Sequence, residues 1–91
     1  MDRIVILGAA ESGVGAAILA KQKGFDVFVS DMGAIKDKYK TQLDAHGIAW
    51  EEGQHTEEKI LNAKEIIKSP GIPREAPMVQ KAMNHGIGVV S

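Results

Sequence analysis

Three observations predict an α/β fold with a parallel sheet of about five strands and helices on both faces. Short apolar runs alternate with amphipathic segments along the whole chain. The first run, Ile4-Val5-Ile6-Leu7, is apolar at every position instead of every second one, as in a strand covered on both sides. A glycine stands just ahead of a strand in Gly24-Phe25-Asp26-Val27, Gly47-Ile48-Ala49-Trp50 and Gly86-Ile87-Gly88-Val89. A left-handed glycine there ends a helix and turns the chain back toward the sheet.

The elements follow in order. Ile4 to Leu7 is the first strand, and a helix is predicted from about Ser12 to Lys23, with Val14, Ala17 and Ile18 on its apolar face. Phe25 to Ser30 reads as the second strand. Ile35, Tyr39 and Leu43 recur every four residues and mark an amphipathic helix that stops at Gly47. Ile48 to Trp50 is a short strand near an edge. Thr56 is placed to cap a short helix whose first turn carries Glu57 and Glu58 at the positive end of the dipole. Ile66 and Ile67 centre a fourth strand. Pro77 opens the last helix at the position proline tolerates best, and Ile87 to Val90 forms a fifth strand. Right-handed βαβ units in this series give a Rossmann-like sheet of order 3-2-1-4-5.

Composition narrows the function. The 91 residues are enough for one domain with a single layered core, 44% of them apolar and 25% charged. A net charge of −1 without a basic run gives nucleic acid no electrostatic footing. The absence of cysteine removes disulfides and thiolate metal sites. No apolar stretch reaches membrane-spanning length and the start lacks a signal-peptide core, so the expectation is a cytoplasmic protein without a membrane partner. His46, His55 and His85 fall on separate segments without ligand spacing and read as structural, with no metal expected. Met32, Met78 and Met83 read as core or crevice wall.

Three stretches carry chemistry. Ile6-Leu7-Gly8-Ala9-Ala10-Glu11-Ser12-Gly13 follows the first strand and opens a helix, so its backbone N–H groups form a ready anion site. Gly8 permits the tight turn, and Gly13 with Gly15 lets the helix pack close to the sheet. The dinucleotide fingerprint G-x-G-x-x-G has glycine where this chain has Ala10, whose methyl pushes a dinucleotide pyrophosphate outward. Ser12 adds a hydroxyl donor. Asp31 ends the second strand eighteen positions after Gly13, where a carboxylate can accept from a ribose or a base N–H. Its alternative is a turn cap ahead of Gly33. Ser69-Pro70-Gly71 suits a type II turn next to the first strand, across the switch point.

Together "VILGAAESGVGAA", "VSDMG" and "KSPGIPREAPMVQKAMNHGIGVV" resemble the N-terminal domain of the Mur ligases of peptidoglycan synthesis, in particular the D-glutamate-adding members. Ser-Pro-Gly-Ile is the most discriminating block, and the resemblance covers nearly the whole chain. It implies a domain spanning residues 1–91 that holds the UDP part of UDP-N-acetylmuramoyl-L-alanine, within a longer ligase whose further domains follow. Glu11, Ser12 and Gly13 would face the diphosphate, Asp31 and Met32 the uracil, and Gly71 its other side. Gly8, Ala10, Ser69 and Pro70 would support these loops. Met32 and Gly33 stand where family members often have threonine and arginine, and Glu11 is expected to turn its charge outward.

The same resemblance implies ATP and Mg²⁺ for the whole ligase, which activates the substrate carboxylate as an acyl phosphate for attack by the D-glutamate amine. No G-x-x-G-K-[ST] motif occurs here, so this chain is expected to bind without catalysing and to hold no cofactor of its own. The rival readings are an NAD(P)-binding regulatory or dehydrogenase domain, a sister Mur ligase adding L-alanine, and a flavodoxin-like interaction domain without nucleotide.

Overall fold

In the computed structural model, which describes residues 1–91, five parallel strands form one sheet in the order β3-β2-β1-β4-β5. The elements are β1 (Arg3–Leu7), α1 (Glu11–Gln22), β2 (Asp26–Asp31), α2 (Asp37–Ala45), β3 (Ala49–Glu52), α3 (Glu57–Ile60), β4 (Glu65–Lys68), α4 (Pro77–Asn84) and β5 (Gly88–Val90). β1 lies at the centre, pairing Val5 with Phe28 of β2 on one side and with Ile66 of β4 on the other.

Side-chain alternation along β1 divides the interior into two layers. Ile4 and Ile6 point to one face, where Val14 and Ala17 of α1, Leu43 of α2 and Val29 of β2 close over them. Val5 and Leu7 point to the other face, against Phe28, Ile60, Ile66, Met78 and Val79. A strand segment flanked by two buried layers has no position left for a polar side chain, which is why β1 is unbroken apolar sequence from Ile4 to Leu7, behind the partly exposed Arg3.

The three glycine joints are built alike. Gly24, Gly47 and Gly86 have φ of +92°, +68° and +77°. The following N–H groups of Phe25, Ile48 and Ile87 reach back to the carbonyls of Ala20, Leu43 and Ala82 at 3.1, 2.9 and 3.0 Å. This six-residue closure satisfies a terminal carbonyl and seats an apolar residue at the start of the next strand segment.

Several local expectations are revised. α2 begins at Asp37, so Ile35 precedes the helix; it is nonetheless buried on the α2 face, and its N–H donates to Glu52 Oε1 at 2.8 Å. Thr56 flanks α3 without capping it, because its hydroxyl donates to Glu51 Oε1 at 2.6 Å. Gly13 is required for close packing and Gly15 is not: a Cβ at Gly13 would stand 1.9 Å from the Gly8 carbonyl oxygen, whereas one at Gly15 meets nothing within 4 Å. The Ser69–Ile72 turn is closed by Ile72 N–H donating to the Ser69 carbonyl at 3.0 Å, but Gly71 is not among the positive-φ residues. That excludes the expected type II turn, which needs φ above zero at its third residue.

Candidate functional site

All three predicted stretches meet at the carboxyl ends of the strands, on either side of the point where the sheet order reverses between β1 and β4. Open parallel sheets bind ligands there. The loop from Gly8 to Ala10 is held in a strained path. Gly8 has φ +97°, and a Cβ on it would lie 2.8 Å from Ser69 Cβ. Its own N–H donates to the Ser30 carbonyl at 2.9 Å, which ties the loop to β2.

Asp31 makes a second tie. Its Oδ2 accepts the Ala9 N–H and its Oδ1 the Gly33 N–H, both at 2.8 Å. Asp31 thus caps the turn ahead of Gly33, the alternative reading of its carboxylate, and also braces the glycine loop. A carboxylate oxygen has two acceptor directions, so each keeps one for a further donor.

The tied loop leaves α1 with free donors. Ala10 is the residue flanking the helix, in extended conformation and with no side chain able to cap. The first bond runs from Val14 N–H to the Ala10 carbonyl at 2.9 Å. The N–H groups of Ala10, Glu11, Ser12 and Gly13 have no acceptor in the chain. Four unmet donors stand at the positive end of a twelve-residue helix, an arrangement that attracts anions.

Three concavities surround this loop, and the predicted residues divide among them. The largest, about 480 Å³, lies on the α3/α4 face and takes in Gly8, Asp31, Met32, His55, Ile72 and Lys81. It falls within the range of small-molecule sites. A second, about 240 Å³, holds Ser12, Gly13, Ser69 and Pro70, with Lys68 as the cation in its wall. Glu11 faces a third with Lys38 and Tyr39, away from the other two. Gly71 lines none of them; its neighbour Ile72 reaches the large cavity instead. Of the methionines, Met32 and Met78 are cavity wall, while Met83 is partly exposed outside it.

The residue that sequence reasoning passed over is His55. It lines the large cavity, with its Nδ1 2.6 Å from the buried Ser30 hydroxyl. Ser30 in turn donates to Glu51 Oε2 at 2.8 Å. Burial on its own would raise the Glu51 carboxyl, but the Thr56 N–H and hydroxyl, the Ser30 hydroxyl and the Lys59 charge outweigh it and hold Glu51 below the ordinary carboxylate range. Burial pushes the His55 imidazole down, against the opposing pull of Glu51 and Asp31. The available signal was Ser30, a polar residue behind the apolar run Val27-Phe28-Val29 of β2; Glu51, next to Glu52 in β3, is buried without any such local mark. His85, by contrast, lies outside the cavity, its Nδ1 2.8 Å from the Lys81 carbonyl at the end of α4.

A central β1 followed by a glycine turn, uncapped helix donors and an acid closing β2 define an α/β domain of the Rossmann type. Residues 2–91 match the family described as Mur ligase MurD-like, N-terminal domain, and the chain belongs to that family. It is 69% identical over its whole length to a UDP-N-acetylmuramoylalanine--D-glutamate ligase of Bacteroides thetaiotaomicron, and 60% identical to one of Porphyromonas gingivalis. It spans about a fifth of the length of these relatives, 20% and 21%. Among solved structures it is similar to UDP-N-acetylmuramate:L-alanyl-gamma-D-glutamyl-meso-diaminopimelate ligase from Neisseria meningitides, with TM-score 0.83 and 28% identity, over 100% of this chain and 28% of that one. The fold alone is shared with SirC, a precorrin-2 dehydrogenase, at TM-score 0.63 and 15% identity over 97% of this chain and 43% of that one.

Proposed function

We propose that this chain is the N-terminal substrate-binding domain of a longer, cytoplasmic, ATP-dependent ligase that adds D-glutamate to UDP-N-acetylmuramoyl-L-alanine, and that it holds the UDP portion. The observation that carries the reading is the row of unmet N–H groups from Ala10 to Gly13, on the loop whose first residue, Gly8, lines the cavity of about 480 Å³ together with Asp31. The helix end and the backbone donors take the diphosphate. The cavity between Asp31, Met32 and Ile72 takes the nucleoside, with the spare acceptor directions of Asp31 turned to its N–H or hydroxyl donors. The names of the relatives support the same substrate.

The chain's own part in the reaction is binding and orientation. It offers no lysine-bearing phosphate loop, so its residues do not fit ATP and Mg²⁺, and no step of ligation is assigned to it. Calorimetry with UDP, NAD and ATP tests the reading: UDP should bind at least ten-fold more tightly than either competitor. Preferential binding of NAD would favour the dehydrogenase-type alternative, whose fold is shared. The purified chain should neither hydrolyse ATP nor ligate D-glutamate, and measurable turnover would sink that part.

A further inference from the structure

The Glu51–Ser30–His55 row is buried at its charged end, Glu51 and Ser30, and opens to the cavity at His55. Ser30 is fully buried and has a single hydroxyl proton, with three polar atoms in reach: Glu51 Oε2 at 2.8 Å, the Gln54 carbonyl at 3.1 Å and His55 Nδ1 at 2.6 Å. Glu51 is ionised at neutral pH, and it already accepts the Thr56 N–H at 2.8 Å and the Thr56 hydroxyl. An ionised carboxylate cannot donate, so a 2.8 Å approach to Ser30 Oγ is favourable only if the serine proton lies between the two oxygens. Ser30 Oγ then faces His55 with a lone pair, and the short contact requires the proton on Nδ1. In the neutral ring the other nitrogen, Nε2, is left as an acceptor. Nε2 has no partner in the chain, yet no buried side-chain nitrogen or oxygen lacks one. Nε2 is therefore reachable from outside, on a residue that walls the cavity.

We propose that Glu51 and Ser30 fix His55 in its Nδ1–H form so that Nε2 accepts a hydrogen bond from the nucleoside, making His55 a specificity-determining residue for a ligand with an N–H or O–H donor at that point. The proposal rests on the nucleotide reading above. The donor is either the imide N–H of uracil or a ribose hydroxyl. Cytosine carries a lone pair at the ring nitrogen where uracil carries the imide proton, so a neutral Nε2 would reject it. Two acids pull the His55 charge upward, Glu51 of β3 and Asp31 of β2; Lys59 of α3 acts on Glu51, and Lys81 of α4 lines the same cavity but is paired with Glu57 at 2.7 Å. Burial prevails over the two acids and keeps the ring neutral at pH 7. Protonation would turn Nε2 from acceptor to donor and lose the contact.

The test combines a tautomer measurement with a nucleotide series. Nitrogen-15 NMR of the histidine rings at pH 7.5 should show His55 protonated on Nδ1 and bare on Nε2, and Ser30→Ala should abolish that single form. His55→Leu should weaken UDP about ten-fold at pH 7.5. It should also erase a preference, over CDP if the imide is the donor and over 2′-deoxy-UDP if the ribose is. UDP affinity of the parent chain should fall relative to His55→Leu between pH 7.5 and 5.5, the phosphate's own titration being common to both. If His55→Leu fails to fold, Ser30→Ala, with the ring retained, should show the same loss of preference. An equal loss for all three nucleotides would mean packing alone and overturn the proposal, as would UDP binding with the proton on Nε2. The Nδ1–H form together with no UDP binding would instead contradict the nucleotide reading on which the proposal stands.

Discussion

Gly13 and Gly15 are two positions apart in one helix and face opposite fates. A methyl at Gly13 would enter the Gly8 carbonyl oxygen at 1.9 Å and press on Ile6 Cγ2 at 3.3 Å. Backbone cannot yield as a side-chain tip does, so Gly13→Ala should cost about 3 kcal/mol or more. At Gly15 the space is open, and Gly15→Ala should gain about 0.5–1 kcal/mol from helix propensity. Thermal melts of both variants check the pair, and similar shifts would contradict the packing account. Asp31→Ala removes acceptors from the Ala9 and Gly33 N–H groups at once. On a partly exposed site this should cost about 2 kcal/mol, or about 10 °C in melting temperature, together with UDP affinity. A variant that melts like the parent would show that the two bonds do not hold the loop. Ala10→Gly should be near neutral, because backbone entropy and the preference for glycine over alanine at a helix flank oppose each other.

At the scale of elements, the Glu51 network joins β2, β3 and the start of α3, and it makes stability depend on pH in a defined direction. His55 has a folded pKa below its ordinary 6.5, so the unfolded chain takes up its proton first on acidification. Stability is therefore full above pH 6.5 and falls as pH drops through the window below it. Glu51 is also depressed, from 4.5, so its contribution is present above pH 4.5 and lost as pH falls further. Denaturant melts at pH 7, 5.5 and 4 should show both losses, and His55→Leu should remove the first while keeping the second. A flat profile between pH 7 and 5.5 in the parent would contradict the buried neutral histidine. The elements themselves were legible because their signals are local: the glycine joints, the doubly covered β1 and Pro77 at the first position of α4 each depend on a few neighbouring residues. Ile35 and Thr56 were misplaced because other elements decide them. Ile35 N–H is claimed by Glu52 and the Thr56 hydroxyl by Glu51, contacts that spacing within a helix does not reveal.

For the whole molecule, the order β3-β2-β1-β4-β5 followed from right-handed crossovers, and with it the crevice at the carboxyl ends of the strands. Asp31 and the glycine loop could be placed there from sequence since both sit at strand ends. The division of the site into separate concavities was hidden, because it depends on how the loop after β3 and the start of α4 approach across the sheet. His55 belongs to that hidden part. Whether the unmet helix donors receive the diphosphate of UDP can be read from amide shifts mapped during a UDP titration. Diphosphate binding there should give large, saturable downfield changes at the N–H groups of Ala10, Glu11, Ser12 and Gly13, with smaller ones at Met32 and His55. Saturable UDP binding that leaves those four amides unmoved would contradict it.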